Sequence, residues 1–253
     1  MTTTYDHFAR HYHSGPYTLF SERVSREIFP HLLELLDFHP QSLLDLACGS
    51  GIFVLAMAKQ GLQVTGLDLS KELLEIARTK ALTEAVEVEW LHANMSEFTP
   101  MRKYDCVTCW FDSLNYLLRV DELAKTFQNA FVALAPKGYF FFDMNTIYGL
   151  AVQWQRFPYF IQQETPDYLE IVENSYDYEL GIAEMRLIMF ERSGENWAHY
   201  EEKHQERGYA VDDVLLLLQN AGFLVKHLTG DPRQMSPLGQ KDGRVWVVAQ
   251  KPS

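Results

Sequence analysis

Three cysteines in 253 residues are too few, and odd in number, for a disulfide framework, which points to a reducing compartment. Lysine and arginine are also short: 22 against 34 acidic residues give a formal charge of −12. Such a surface repels phosphate backbones and speaks against general nucleic-acid binding. Long apolar runs are missing as well. The densest, around Val214–Leu218 and Tyr139–Phe142, are too short to cross a bilayer. The opening MTTTYDHFARHYHSG lacks the basic stretch and apolar core of a secretory signal. The expectation is a cytoplasmic protein, monomer or homodimer, with neither nucleic acid nor membrane as partner.

Apolar residues are present at 47%, enough for one large α/β domain, or one domain with a modest insertion. Cys106 and Cys109 have CxxC spacing, but they lie in YDCVTCWF, which reads as a strand. Strand positions three apart face opposite sides, so these cysteines read as core residues and no metal is expected.

Residues 5–13 and 21–36 read as helices, the second with Val24, Ile28, Leu32, Leu35 and Leu36 near helical spacing. After His39-Pro40, short apolar runs alternate with amphipathic stretches, the signature of a parallel sheet with crossover helices. Strands are expected at Ser42–Ala47, Gln63–Asp68, Val86–His92, Tyr104–Phe111 and Tyr139–Asp143. Helices are expected at 52–60, 71–80 and 121–134. From about Leu150 to Gly208 the rhythm changes. Ile171–Leu180, Ala183–Arg192 and Trp197–Gln205 read as three antiparallel strands, turned at Gly181 and at Ser193-Gly194. Val211–Asn220 returns to helix, and Phe223–His227 and Val245–Gln250 close the chain as strands.

The first strand runs into a glycine turn and a helix, LLDLACGSGIFVLAMAKQG. Such a turn lets backbone approach a ligand and aims helix N–H groups at it. About twenty residues on, Asp68 ends the second strand in GLDLS, where a carboxylate accepts both hydroxyls of an adenosine ribose. Two adenosine cofactors share this geometry. A dinucleotide turn wants GxGxxG, yet Gly49 and Gly51 are followed by Val54. Asp45, just before the turn, is unfavourable beside a pyrophosphate but suits the ammonium or sulfonium of S-adenosylmethionine (SAM). The residues favour SAM over NAD.

DLACGSG followed by GLDLS resembles the first two signature motifs of the class I SAM-dependent methyltransferases. LHANMSEF, YDCVTCWFDSLNYL and APKGYFFFDMNT resemble the segments at that family's third, fourth and fifth strands. The resemblance is close over about 40–145 and looser beyond. It implies a Rossmann-like, mostly parallel seven-stranded sheet with an antiparallel last strand, here with an inserted antiparallel β meander. Residues 1–40 would form a helical lid, 41–148 with 209–253 the SAM-binding domain, and 149–208 a roof over the substrate.

Carried over by position, Asp45, Ala47, Cys48, Gly49 and Gly51 surround the methionine part of SAM, and Asp68 holds the ribose. Leu69, Asn94 and Met95 meet adenine. Ala47 and Asn94 stand where many members have glycine and aspartate. Phe111 and Trp110 supply an aromatic wall beside a sulfonium, or plain packing. Asp112, Asn115 and Tyr116 follow the fourth strand at the ligand edge and face the acceptor, or Asp112 or Ser113 simply caps the next helix; Asp143 and Asn145 face the acceptor or satisfy loop backbone. Tyr5, Tyr12 and Tyr17 are lid candidates, and Tyr12 and Tyr17 with His204 are the catalytic candidates. In HYEEKHQERGY, Tyr200, Glu202 and His204 share a strand face, so Glu202 and His204 can bind or deprotonate an acceptor if that face looks inward.

The implied activity is in-line transfer of a methyl group to a small-molecule N- or O-nucleophile. The rivals are a SAM-binding sensor or partner without catalysis, and an NAD-dependent oxidoreductase. The oxidoreductase is disfavoured by Val54 and by the lack of a Tyr-x-x-x-Lys pair.

Overall fold

The structure is a computed structural model; it describes residues 8–15 and 17–253, the side chains of residues 10 and 14 aside. Tyr5 lies outside the described residues.

Helix α1 (Ala9–Ser14) precedes a longer helical run of α2 (Thr18–Arg23), a widened turn (Val24–Ile28) and α3 (Phe29–Leu35). Alternation then begins with β1 (Ser42–Leu46), α4 (Ile52–Lys59), β2 (Gln63–Asp68), α5 (Lys71–Thr83), β3 (Glu89–His92) and β4 (Tyr104–Cys109). A short 3₁₀ turn (Ser113–Tyr116), α6 (Val120–Ala133) and β5 (Leu134–Asn145) follow. The inserted strands are β6 (Tyr159–Thr165), β7 (Tyr168–Asp177), β8 (Ile182–Ser193) and β9 (Asn196–Arg207). The chain ends through α7 (Val211–Ala221), β10 (Leu224–Asp231), β11 (Ser236–Pro237) and β12 (Arg244–Gln250).

The main sheet has the order β11-β10-β12-β5-β4-β1-β2-β3. Strands β3, β2, β1, β4 and β5 pair in parallel, and β12 lies antiparallel between β5 and β10. The expected Rossmann-like sheet is therefore present, with the two-residue β11 added at its edge. Because helices cover both faces, β1 and β4 are buried along nearly their whole length. One face packs against α6 and α7 through Leu123, Phe127, Ala130, Val214 and Leu218. The other packs against α3, α4 and α5 through Phe29, Leu32, Phe53, Val54, Met57 and Leu74. Cys106 and Cys109 enter opposite cores as buried thiols.

Local chemistry sets the boundaries that shape the site. Ser70 caps α5, its Oγ accepting the Leu73 N–H at 3.2 Å. The strand order reverses across β1, since β2 pairs on one side and β4 on the other. At such a switch point the carboxyl ends of the strands open into a ligand crevice.

The insertion is a four-stranded meander, β6-β7-β8-β9, where three strands were expected. The missed β6 reads YFIQQET, with a burial pattern too mixed to betray its period. The other three alternate. Tyr168, Glu170, Val172, Leu187, Met189, Glu202, His204 and Glu206 turn to the buried face. The opposite face carries ion pairs such as Arg186 with Glu173 and Glu201. Phe8 joins Tyr168, Val172, Leu187 and Met189 in a small core, with Tyr12 and Tyr17 against it. The stretch that carries Phe8, Tyr12 and Tyr17 therefore lies under the meander.

Candidate active site

The glycine turn after β1 runs through left-handed backbone at Ala47 (φ 55°), Gly49 (φ 56°) and Gly51 (φ 78°). Alanine bears this cost at 47, where the resemblance suggests glycine. The two glycines are needed for different reasons. A methyl group at Gly49 meets nothing nearer than the Tyr12 ring, 3.8 Å away. At Gly51 it lies 2.7 Å from the Trp90 ring, so this position is closed by packing as well as by φ. The Cys48 N–H donates to the Leu67 carbonyl at 2.9 Å and fastens the turn to β2. From above, His13 Nδ1 lies 3.0 Å from Ser50 Oγ and brings α1 onto the turn.

Asp68, at the end of β2, accepts the Gly49 N–H at 2.7 Å and the Ser70 N–H at 2.8 Å, one on each carboxylate oxygen. Each oxygen keeps a second lone pair for a hydroxyl donor. Burial raises the Asp68 pKa, opposed by the N–H groups of Ser70, Gly49 and Leu69. Asp45 is 3% exposed and accepts the Thr108 hydroxyl at 2.6 Å. Burial pushes its carboxyl up to about 8; the Thr108 bond works against the rise, and the nearby Asp68 charge adds to it. Among the described residues, neither carboxylate forms an ion pair with a lysine or arginine, and His92 is the one positive group that bears on Asp68. Two buried acids without a fixed cation, one beside a sharp turn and one at a strand end, fit a ligand with a sugar diol and positive centres.

The adenine candidates sit beyond Asp68. Leu69 is exposed, and its carbonyl lies 2.9 Å from His92 Nε2. Met95 is buried. The Asn94 carbonyl oxygen accepts both the N–H and the hydroxyl of Ser96 at 2.9 Å, which presents the amide N–H₂ as its remaining polar group.

At the end of β4, Phe111 (φ 57°) and Asp112 (φ 51°) are consecutive left-handed residues. Their N–H groups donate to the two oxygens of Asp143 at 2.8 and 3.1 Å. Arg244, at the start of β12, donates to Asp143 and, at 2.9 Å, to Asp112. Asn145 donates at 2.8 Å to both Asp112 and Glu206. Asn115 brackets the Asn145 backbone: its Oδ1 accepts the Asn145 N–H, and its Nδ2 donates to the Asn145 carbonyl. From the sequence Asp112, Asn115 and Asn145 either face an acceptor or serve local structure; the structure joins them in a buried lattice around Arg244. Burial raises the Asp143 pKa to about 6 despite the opposing Arg244 charge, with Asp112 adding to the rise. Glu206 is pushed well up by burial and by the charge and hydrogen bond of Asp112.

Under the roof, Glu170 is fully buried and accepts both the Tyr17 and the Tyr168 hydroxyls, the latter at 2.8 Å. Burial raises the Tyr168 pKa, and the Glu170 charge adds to it. Glu202 accepts the Phe8 backbone N–H at 2.8 Å and lies 3.6 Å from His204 Nε2. His204 Nδ1 lies 3.1 Å from the Tyr116 hydroxyl. Cross-strand register explains the grouping: Met189 sits between Glu170 and Tyr200, and Leu187 between Val172 and Glu202. Tyr12 and Tyr17 stack at 5.6 Å, and Phe8 meets Tyr17 and His204 edge-on at 4.9 and 5.8 Å. The three catalytic candidates, Tyr12, Tyr17 and His204, thus meet around Phe8, with Glu202 beside them.

Glu170, Glu206, Phe8 and Arg244 were missed in the sequence. Glu206 continues the alternation of Glu202 and His204, and that pattern was enough to find it. Glu170 had the same signal in YLEIVEN. Nothing local marks Arg244, whose partners lie 101 and 132 residues away.

A family described as "Methyltransferase domain" matches residues 43–138, the span from β1 to β5. A putative methyltransferase of Geobacillus sp. (strain WCH70) is 30% identical over 254 residues, covering 98% of this chain and 100% of that one. A solved SAM-dependent methyltransferase from Clostridium acetobutylicum superposes with a TM-score of 0.83 at 23% identity, covering 98% and 99% of the two chains. The sugar N-methyltransferase KedS8 of Streptoalloteichus sp. superposes with a TM-score of 0.74 at 19% identity, covering 100% of this chain and 94% of that one. The last two likenesses speak for the fold alone.

Proposed function

This chain belongs to the class I SAM-dependent methyltransferases, and from that premise we propose that its acceptor is a small molecule methylated on an amine nitrogen. The observation that carries the choice of amine is Glu170. It is a fully buried carboxylate that two tyrosine hydroxyls solvate, and no lysine or arginine forms an ion pair with it among the described residues. Burying such a charge is costly unless a cation completes the site. An ammonium group between Glu170 and Glu202, walled by tyrosine faces, supplies that cation.

The chain's residues take these roles in the proposal. Asp45, Ala47, Cys48, Gly49 and Gly51 hold the methionine portion of SAM, and Asp68 holds the ribose. Leu69, Asn94 and Met95 bound the adenine, and Phe111 stands beside the sulfur. When bound, SAM supplies a methyl group on a positively charged sulfur that is already an activated leaving group. The protein's work is therefore alignment, exclusion of water and removal of one proton from the acceptor. Glu202 and Tyr116 orient His204, which takes that proton before the nitrogen attacks. Tyr12 and Tyr17 position the amine, with residues 1–40 as lid and 149–208 as roof. Asp112, Asn115 and Asn145 hold the loop that faces the acceptor.

Thermal-shift titration with SAM, S-adenosylhomocysteine and NAD tests the cofactor. S-Adenosylhomocysteine release across amines, carboxylates and hydroxyls then tests the acceptor. Turnover with amines alone supports the reading, with Glu170→Gln raising the KM for the amine and leaving S-adenosylhomocysteine affinity unchanged. Turnover only with hydroxyl acceptors overturns it. SAM binding without turnover on any acceptor favours a sensor.

A further inference from the structure

Among the described residues, Arg244 is the one fixed cation of the lattice described above, and it also touches helix α2. Its guanidinium carbon lies 4.8 Å from the centre of the Phe20 ring on α2 and 5.9 Å from the Phe111 ring. Phe20 stacks on Phe111 at 4.6 Å and 15° and on Trp246 at 5.7 Å and 13°. One guanidinium thus grips a helix of the N-terminal segment through a ring face, β5 through Asp143, and the loop after β4 through Asp112. That loop holds two consecutive non-glycine residues in left-handed backbone, a conformation that persists only where surroundings enforce it. Asp143 enforces it by accepting both N–H groups, and Arg244 fixes Asp143.

We propose that Arg244 is a positioning residue for the cofactor: it latches α2 onto the Phe111–Asp112 loop, so that lid closure and the wall beside the sulfur form together. This rests on the SAM placement proposed above, and the test separates the two. Arginine suits the latch because its planar face stacks on an aromatic ring while its edge hydrogen-bonds two carboxylates. Lysine keeps the charge and loses the shape. Removing the cation altogether leaves Asp112, Asp143 and Glu206 buried together, so Arg244→Met risks misfolding and is not the deciding variant.

The deciding variants are Arg244→Lys and Phe20→Leu, the second leaving every carboxylate partner intact. The full-length protein is titrated with S-adenosylhomocysteine by calorimetry, and backbone hydrogen exchange is followed in 17–35 and 110–116, with and without that ligand. Each variant is expected to weaken binding by about fivefold or more, the scale of a partly buried cation–π contact. Exchange should rise in both segments at once, and the double variant should be no weaker than the worse single one, because both break one latch. Effects that multiply in the double variant, or faster exchange in 17–35 with 110–116 unchanged, overturn the latch. So does unchanged affinity in both variants. A wild-type protein that fails to bind S-adenosylhomocysteine overturns the cofactor placement instead.

Discussion

SAM binding should release a proton from Asp45. In the unliganded protein burial lifts this carboxyl from 3.8 to about 8, so at pH 7 it is about 90% protonated by simple titration. A methionine ammonium or sulfonium set against it favours the ionised form and returns the pKa toward the ordinary range. Binding near pH 7 should then expel about 0.8 proton per ligand, and affinity should climb nearly tenfold per pH unit between roughly pH 5.5 and 6.5 and less steeply above pH 7. The climb should end near pH 8, where both Asp45 and the ligand's own α-amino group titrate. Calorimetry in phosphate and in Tris, whose ionisation enthalpies differ, counts the proton directly. Asp45→Asn should abolish both the proton count and the pH slope.

Stability carries the same linkage with its own sign. A carboxyl whose folded pKa is raised contributes stability that is present below its unfolded pKa and is lost as pH rises through the folded value. For Asp45 that window runs from 3.8 to about 8, and the loss is on the order of 5 kcal/mol at about 1.4 kcal/mol per pH unit. Asp45→Asn should therefore melt higher than wild type at pH 8 without ligand and only similarly at pH 4. A zero proton count with a flat affinity from pH 5.5 to 7.5 refutes the reasoning.

Asp68→Asn should weaken S-adenosylhomocysteine binding about 10- to 100-fold, since hydrogen bonds to a charged acceptor contribute about 1.5–3 kcal/mol each; an equal affinity in calorimetry counts against the ribose role. Gly51→Ala should cost about 2–4 kcal/mol in urea unfolding, joining left-handed strain to a 2.7 Å contact with Trp90. Gly49→Ala, whose methyl group would make only an ordinary contact with Tyr12 at 3.8 Å, should cost only about 1–2 kcal/mol from backbone strain. Glu170→Gln should raise the KM for an amine acceptor at least about tenfold, measured by S-adenosylhomocysteine release, because it removes the charge proposed to face the ammonium.

The core of the fold was legible because its signals are local. SLLDL, QVTGLD and YDCVTC carry apolar residues toward both faces and are buried along nearly their whole length, and helices with plain stop signals separate them. Alternation in HYEEKHQER placed Glu202 and His204 on one face, and both are buried there. The fourth strand of the roof was not legible, since half-exposed YFIQQET follows no period. Nor was the lattice around Arg244. Sequence patterns report which face a side chain takes, and the choice among polar neighbours on that face is made by residues a hundred positions away. Asp112 and Asn145 were visible as polar groups at strand ends, but their partners were not.

Residues near the start of the chain already use the oxygens that the proposed acceptor would need. Phe8 gives its amide hydrogen to Glu202, and Tyr17 gives its phenol hydrogen to Glu170. Under the proposed assignment, an arriving ammonium must share these oxygens with the polypeptide or push it aside. Acceptor affinity is then a net quantity, the gross attraction less the work of dislodging an internal competitor. An enzyme built this way screens its visitors: neutral molecules of the right size have nothing with which to pry the segment loose, and they stay outside.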